Sequence, residues 1–535
     1  MGYGNYWGSK QTPQDRPIPG READMTRNDA GGYVFDAGNE TLFRRFLILG
    51  TEGGTYYASE RDHTVRAGQA VRSVLLTRGT EAIEEIVKVS QAGRAPSNTP
   101  ALAALAMASG LEKTKHAAFH FLPRVARTGM HIFQFVDMME SFRGWGRLAR
   151  EGVARWYTEQ DPGRLAYQVL KYQGRRTEER GQRWTHRDLL RLAHPKPPTP
   201  AHQAIFRYVT HGDIPDIDDD ALHLIHVYER VKQAETADEV IDLIQRHGLT
   251  WEFVPGQWLG SPDVWRALLP NLPLTALIRN LGRLSALGVL KPFGREEKIV
   301  LDRLNDIEII RKSRIHPMKI FVAAMQYATG RGLRGSLKWV VNSTVLNALW
   351  SAFYDAFQNV EPSGRRILIA LDVSGSMGYG RIAGMNITPR DAAAAMAVIT
   401  ARTEPRVHTV AFSHHLREFP ITYHDGVQSV VERMDNMSFG KTDCALPMIY
   451  AMENGLEVDA FVVYTDNETW AGDVHPVQAL QDYRRKTGIP AKLVVVGMTA
   501  TNFSIADPSD PGMLDVVGLD TATPKLISDF IADRL

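Results

Sequence analysis

Ile367-Leu368-Ile369-Ala370-Leu371-Asp372-Val373-Ser374-Gly375-Ser376 decides the fold of the carboxyl-terminal part of this chain. Five consecutive apolar residues read as a strand buried on both faces. The run ends on one carboxylate, Asp372, and two hydroxyls, Ser374 and Ser376. Open α/β sheets place their ligand sites at such carboxyl ends. A carboxylate with hydroxyls and water suits a hard divalent cation such as Mg²⁺.

Two further pieces follow in order. Thr442 stands after Gly440-Lys441, between helical patterns, and Asp466 ends a second apolar run, Ala460-Phe461-Val462-Val463-Tyr464. Two strand ends and an intervening loop can meet at one edge of a parallel sheet. Asp372, Ser374, Ser376, Thr442 and Asp466 together resemble the metal-ion-dependent adhesion site of von Willebrand factor A domains. The competing reading, that the two aspartates only cap helices and turns, does not account for their strand-end placement. Gly440-Lys441-Thr442 also looks like the tail of a phosphate-binding P-loop, but Asp435 stands where that motif needs its first glycine.

Outward from this junction, strand and helix signals alternate. Apolar runs at Ile367–Leu371, Val407–Phe412, Ala460–Tyr464 and Lys492–Val496 predict strands. Helical patterns lie at Arg390–Ala401, Val427–Met434, Ala445–Met452, Pro476–Lys486 and Pro524–Arg534. Right-handed helical crossovers between parallel strands give a doubly wound sheet. Its start falls after the turn-rich stretch Asn359-Val360-Glu361-Pro362-Ser363-Gly364, which assigns 361–535 to the A domain.

Upstream, the signals are almost all helical. Asn39 is read as an N-cap, with Leu42, Phe43, Phe46 and Leu47 on one stripe and Gly50 as the stop. Thr236 and Glu239 form a capping box closed by Gly248. Paired segments recur at Ala82–Gln91, Thr99–Met107, Ala117–Phe135, Asp188–Leu192, His202–Val209 and Leu222–Val231. They continue at Val264–Leu269, Thr275–Leu284, Pro317–Tyr327 and Lys338–Ala356. Short helices with short polar connectors point to an α-solenoid or irregular bundle, without the sharp period of a tetratricopeptide array.

A chain of 535 residues, 44% hydrophobic and 23% charged, has the composition of an ordinary globular protein of two or more domains. No apolar run is long enough to span a membrane, and a single cysteine fits a reducing cytosol, so a cytoplasmic protein is expected. Residues 1–27, rich in Gly, Pro and Gln at their start, read as a flexible arm. The single Cys444 excludes an internal disulfide and reads as a packing residue.

The net charge of +1 hides an asymmetry. Glu361–Leu535 holds 15 Lys+Arg against 22 Asp+Glu, whereas Lys113–Lys196 holds 17 against 8. A block of net +9 fits a polyanion-binding face, and equally a solvated helical surface.

Separated blocks, in order, carry a wider resemblance. Asn28-Asp29-Ala30-Gly31-Gly32-Tyr33-Val34-Phe35, Arg45-Phe46-Leu47-Ile48-Leu49-Gly50 and Gly53-Gly54-Thr55-Tyr56-Tyr57 are similar to the TROVE-domain opening of the Ro autoantigen family. So are Trp184-Thr185-His186-Arg187-Asp188-Leu189-Leu190-Arg191, Leu272–Gly282 and Ser313-Arg314-Ile315-His316-Pro317. With Asp372–Met377, the resemblance runs from about Asn28 onward, which makes 28–360 the TROVE region. It implies a ring of HEAT-like helical repeats closed by the A domain, monomeric and not an enzyme. It implies a small Y RNA on the outer basic surface and the single-stranded 3′ end of misfolded RNA in a central hole. In bacterial relatives the Y RNA links the protein to an exoribonuclease, polynucleotide phosphorylase, in RNA turnover.

The resemblance aligns Lys171, Arg175 and His186 with outer-surface RNA contacts, beside Arg176 and Arg187. Cations are what phosphates require, and guanidinium forks hold them bidentately. Thr177-Glu178-Glu179-Arg180 reads as a small insertion. Arg143, Arg147, Arg150 and Arg155, around Trp145, Trp156 and Tyr157, are candidates for the hole or its rim, the first three near one helix face. Arg279, Arg283, Lys319 and Lys338 are weaker candidates. Trp184 reads as helix-packing core and His316 as a turn residue. The alternative reading is an adaptor whose A domain binds a protein partner's carboxylate through Mg²⁺. A ribonuclease is disfavoured because the clustered acids are too few for paired-carboxylate, two-metal chemistry.

Overall fold

The computed structural model describes residues 11–50, 60–172, 183–332, 336–357, 361–382, 387–422, 424–437, 440–499, 501, 503–518 and 523–534. The chain forms two compact units. One comprises Met1–Val74, Arg94–Ser97 and Phe357–Leu535; the other comprises Leu75–Gly93 and Asn98–Ala356.

In the first unit the strands are β1 (Met25–Arg27), β2 (Tyr33–Asp36), β3 (Ile367–Asp372), β4 (Val407–Phe412), β5 (Leu416–Glu418), β6 (Ala460–Thr465), β7 (Lys492–Gly497), β8 (Phe503–Ser504) and β9 (Met513–Val517). Six make one sheet in the order β5-β4-β3-β6-β7-β9. All neighbours are parallel except β4 with β5. Every residue of β3 and β6 is buried, which explains their unbroken apolar runs. Helices Pro389–Thr403, Val427–Asp435, Leu446–Glu453, Pro476–Thr487 and Thr523–Ile531 complete the doubly wound layers. The chain moves to one side of β3 to form β4 and to the other to form β6. The two acids after β3 and β6 therefore sit at the topological switch point.

Residues 11–27 are not a flexible arm. Gln14 is fully buried, and its amide donates to Asp443 Oδ1 (2.7 Å) and Val474 O (2.8 Å). Thr469 Oγ1 donates to Gln14 Oε1 at 2.5 Å, and Arg21 forks onto Asp507 at 2.7 and 2.9 Å. β1, β2 and β8 form a small antiparallel sheet in which Phe35 faces Ser504. The backbone approaches so closely that a Cβ on Gly32 would lie 2.0 Å from Thr469 O. Buried Arg45 donates to Thr501 O (2.7 Å) and Phe503 O (2.9 Å) and pairs with Asp515. The opening of the TROVE segment thus folds with the A domain, and the break at 27/28 is not a structural boundary.

The second unit is a succession of short helices in which alternate helices pack together. Lys115–Val125 packs on Arg147–Thr158, and the latter on His186–Ala193. Gly152 permits the first contact, since a Cβ there would meet Phe119 at 2.4 Å. Several helices start on capped side chains, and Thr185 with Asp188 makes a full capping box. Three expectations need correction. Asn39 lies inside helix Gly38–Leu49, and its amide bonds Ser73 Oγ instead of capping. Glu239 reaches the amide of Glu235, leaving only the Thr236 half of the predicted box. The helical segment expected over Ala117–Phe135 is interrupted, because Thr128 starts a new helix by accepting from His131 N.

Candidate metal centre and nucleic-acid interface

All five predicted metal ligands are buried at the switch point of the sheet. Asp372 ends β3; its Oδ1 accepts from Ser374 N at 2.8 Å and its Oδ2 from Thr465 Oγ1 at 2.8 Å. The Ser374 and Ser376 hydroxyls stand 3.1 Å apart. Asp466 follows β6 and accepts from Glu468 N at 3.2 Å. Burial first, then the neighbouring Asp466, push the Asp372 carboxyl up to about 7, against the bonds from Ser374 and Thr465. Burial likewise raises Asp466. Two buried acids repelling one another form a site that lacks positive charge.

Thr442 Oγ1 is buried without a hydrogen-bond partner among the described residues. Buried hydroxyls are ordinarily satisfied, so this atom points to an oxygen-seeking ligand. The donor set of two carboxylates and three hydroxyls fits Mg²⁺ or a similar hard cation. Among the described residues no group of three His, Cys, Asp or Glu side chains offers a different metal site. Cys444, two residues after Thr442, is buried, and burial pushes its thiol up, as expected of a packing residue. Sequence reading missed Gln14, Thr465 and Glu468. Gln14 ties Asp443, beside Thr442, to Thr469, three residues after Asp466, and so fixes the two ligand-bearing loops together.

The predicted RNA contacts divide. Lys171 is half-buried and pairs with Glu252 at 3.2 Å. Burial opposes its charge, but Glu252, Tyr167 and Tyr172 outweigh this and raise its pKa. Arg187 is exposed, whereas Arg175, Arg176 and the Thr177–Arg180 insertion lie outside the described residues. His186 is only 3% exposed, which takes it out of direct contact with a surface ligand. Its Nδ1 lies 2.8 Å from the Tyr157 hydroxyl, and its ring stacks on Trp156 at 5.8 Å. Trp184 is half-buried against Trp145. Trp156 and Tyr157 are core residues.

Burial depresses the His186 pKa to about 3. The unfolded imidazole gains its proton near 6.5 while the folded one refuses it, so stability is full above 6.5 and lost as pH falls. His186 is expected to contribute on the order of 3 kcal/mol of that loss between pH 6.5 and 4. The urea midpoint of His186→Gln should therefore fall less steeply with acid than that of the wild type.

Arg143 follows helix Gly129–Phe142, whereas Arg147 opens the next helix, so the expected common face does not exist. Arg143 instead bonds Ser109 O at 3.0 Å. Arg147, Arg150 and Arg155 line an open cleft of about 660 Å³ with His194 and Lys196. Glu151 and Glu159 also line it, pairing with Arg147 at 2.8 Å and Arg155 at 3.2 Å. Exposed pairs of this kind hold weakly, and a phosphate can displace them. Arg150 and Lys196 are exposed and form no ion pair among the described residues.

A second cationic group was largely missed. Arg164 Nη2 reaches Arg127 O at 3.4 Å, and Arg127 Nε is buried without a partner among the described residues. Burial, then Arg314 and Arg164, lower the Arg127 pKa; burial, then Arg127 and Arg279, lower that of Lys319. Burial with Arg127 and Lys319 holds the nearby His131 down to about 4. These cations come from two stretches, 127–164 and 279–319, separated by more than 100 residues, so no local signal announces the group.

A helical-repeat unit carrying uncompensated cations, in one chain with an A domain that has a complete set of adhesion-site donors, defines the class. The comparisons are specific. The TROVE domain model matches residues 26–327, and the Ro60 vWA domain model matches 366–531. The chain is 42% identical over 524 residues to RNA-binding protein RO60 of Deinococcus radiodurans, covering 97% of each. It is 34% identical to RNA-binding protein RO60 of Caenorhabditis elegans, covering 96% of this chain and 90% of that one. The crystal structure of the Deinococcus radiodurans RO (RSR) protein superposes with a TM-score of 0.72 at 41% identity, over 93% of this chain and all of that one. The chain belongs to the Ro60 family. None of the described helices is long and apolar enough to cross a membrane.

Proposed function

We propose that this protein is an RNA-binding scaffold, not an enzyme, that acts in RNA quality control and turnover in the cytoplasm. The observation that carries this reading is the unneutralised positive charge of the helical unit. Arg150, Lys196 and Arg187 are exposed without ion pairs among the described residues, and Arg127 and Lys319 face further cations. The cleft between Arg147 and Lys196, with Lys171, Arg175, Arg176 and Arg187, receives a small structured Y RNA through its phosphates. His186 positions the helix that bears Arg187. The Arg127, Arg164, Arg314 and Lys319 group suits the single-stranded 3′ end of misfolded RNA, in the central hole that the family resemblance implies. A monomer suffices, and the bound Y RNA links it to an exoribonuclease such as polynucleotide phosphorylase.

The A domain binds Mg²⁺ through Asp372, Ser374, Ser376, Thr442 and Asp466. The orphaned Thr442 hydroxyl favours a second, compatible reading, in which a protein partner's carboxylate completes the metal shell. Crosslinking in the protein's own cells, followed by RNA sequencing, is expected to recover a small structured RNA joined within Arg143–Lys196. Recovery of nothing above background would refute the RNA reading and leave the metal-dependent adaptor.

A further inference from the structure

Phe293 and Val340 are the two most exposed large apolar side chains among the described residues, at 101% and 88%. Phe293 sits in Lys291-Pro292-Phe293-Gly294-Arg295 with φ of 62°, a left-handed backbone that a bulky residue rarely adopts. Such conformations persist only where the surroundings impose them, and they gather at functional sites. Here the restraint is Glu297, which is 5% exposed. Its Oε2 accepts from the amide of Phe293, and its Oε1 accepts from Asn342 Nδ2 at 2.8 Å. One buried carboxylate thus holds the loop presenting Phe293 beside the segment presenting Val340. That segment follows Lys338, which bridges to Arg331, and neighbouring Leu337 is 40% exposed.

The exposed charge on and beside these two segments is mostly positive. Lys291, Arg295, Lys298, Arg331 and Lys338 are exposed, and none forms an ion pair among the described residues. Glu296, the nearest surface acid in sequence, lies 3.9 Å from Arg266. An exposed aromatic face ringed by free cations is the arrangement that holds unpaired nucleotides, with a base on the ring and phosphates on the ammonium and guanidinium groups. An acidic peptide would satisfy the cations but gives no reason for a strained, outward-facing phenylalanine.

We propose that the Phe293 loop is a separate contact for single-stranded RNA, stacking one base on Phe293 and holding flanking phosphates with Lys291, Arg295 and Lys298. The proposal rests on the RNA-binding reading above, and the wild-type titration tests that reading separately. The experiment is fluorescence anisotropy of a labelled 20-nucleotide oligouridylate with the full chain at several salt concentrations. Phe293→Ala is expected to weaken binding about tenfold, with Phe293→Tyr staying near wild type. Lys291→Glu with Arg295→Glu should weaken binding further and flatten the salt dependence by about one unit of slope. Phe293→Gly relieves the positive φ, so it should raise the melting temperature while still losing affinity, separating contact from folding. Wild-type affinity in Phe293→Ala, or an unchanged slope in the double variant, would overturn the proposal. So would loss of an acidic-peptide interaction with RNA affinity intact. Failure of the wild type to bind the oligouridylate would instead strike the underlying RNA reading.

Discussion

Replacing both Arg150 and Lys196 with glutamate is expected to weaken binding of a structured small RNA about 100-fold at 0.1 M salt. Both side chains line the same cleft, and both are exposed without an ion pair among the described residues. Their substitution therefore leaves no buried partner stranded, and folding should be nearly untouched. Each phosphate contact releases condensed counterions, so losing two should reduce the salt slope by about two. Lys171 would be a poorer choice, because its pairing with Glu252, which is itself buried, mixes a binding effect with a folding one. Filter binding across a salt series, with the melting temperature as the folding control, separates the two. A variant that keeps the wild-type affinity and slope would remove the cleft from the RNA interface.

Asp372→Asn should abolish Mg²⁺ binding, at least 100-fold by isothermal titration, because it removes one of only two carboxylates in the donor set. The same change should stabilise the metal-free protein. Asp372 and Asp466 are both buried and repel one another, so neutralising one relieves that repulsion. Asparagine keeps an acceptor for Ser374 N, while its amide can donate to Thr465 Oγ1. The variant is thus expected to melt several degrees higher than wild type without Mg²⁺ and to gain nothing when Mg²⁺ is added. Its RNA affinity should stay within twofold of wild type. If RNA binding fell with metal binding, the two functions would not be separable. If the wild type itself gained no stability from Mg²⁺, the metal assignment would fail.

The sheet was legible because β3 and β6 are buried along their whole length and carry unbroken apolar runs that lead into Asp372 and Asp466, while β4 and β7 keep shorter buried apolar runs. β5 and β8 have three and two residues, and β9 carries Asp515 at its centre, so none shows such a run. The metal donors were legible for the same reason, as each follows a strand or a short Gly-containing loop. The Gln14 clamp was not. It depends on partners more than 400 residues away, in a segment whose Gly, Pro and Gln content reads as loose. His186 misled because a histidine among arginines looks like a phosphate contact. Its burial comes from Phe133, Trp156 and Tyr157, which surround it only in the folded helices. Arg127, Arg164 and Arg314 escaped, and Arg279 and Lys319 were only weak candidates, because the group is assembled by helix packing and not by spacing.

The most direct test of the central claim is the affinity of the unaltered protein for a small structured RNA as monovalent salt is raised from about 0.05 to 0.2 M. An RNA-binding face built on phosphate contacts predicts tight binding at the lower concentration and a loss of at least 100-fold across the range. Affinity that is weak throughout, or indifferent to salt, would contradict it.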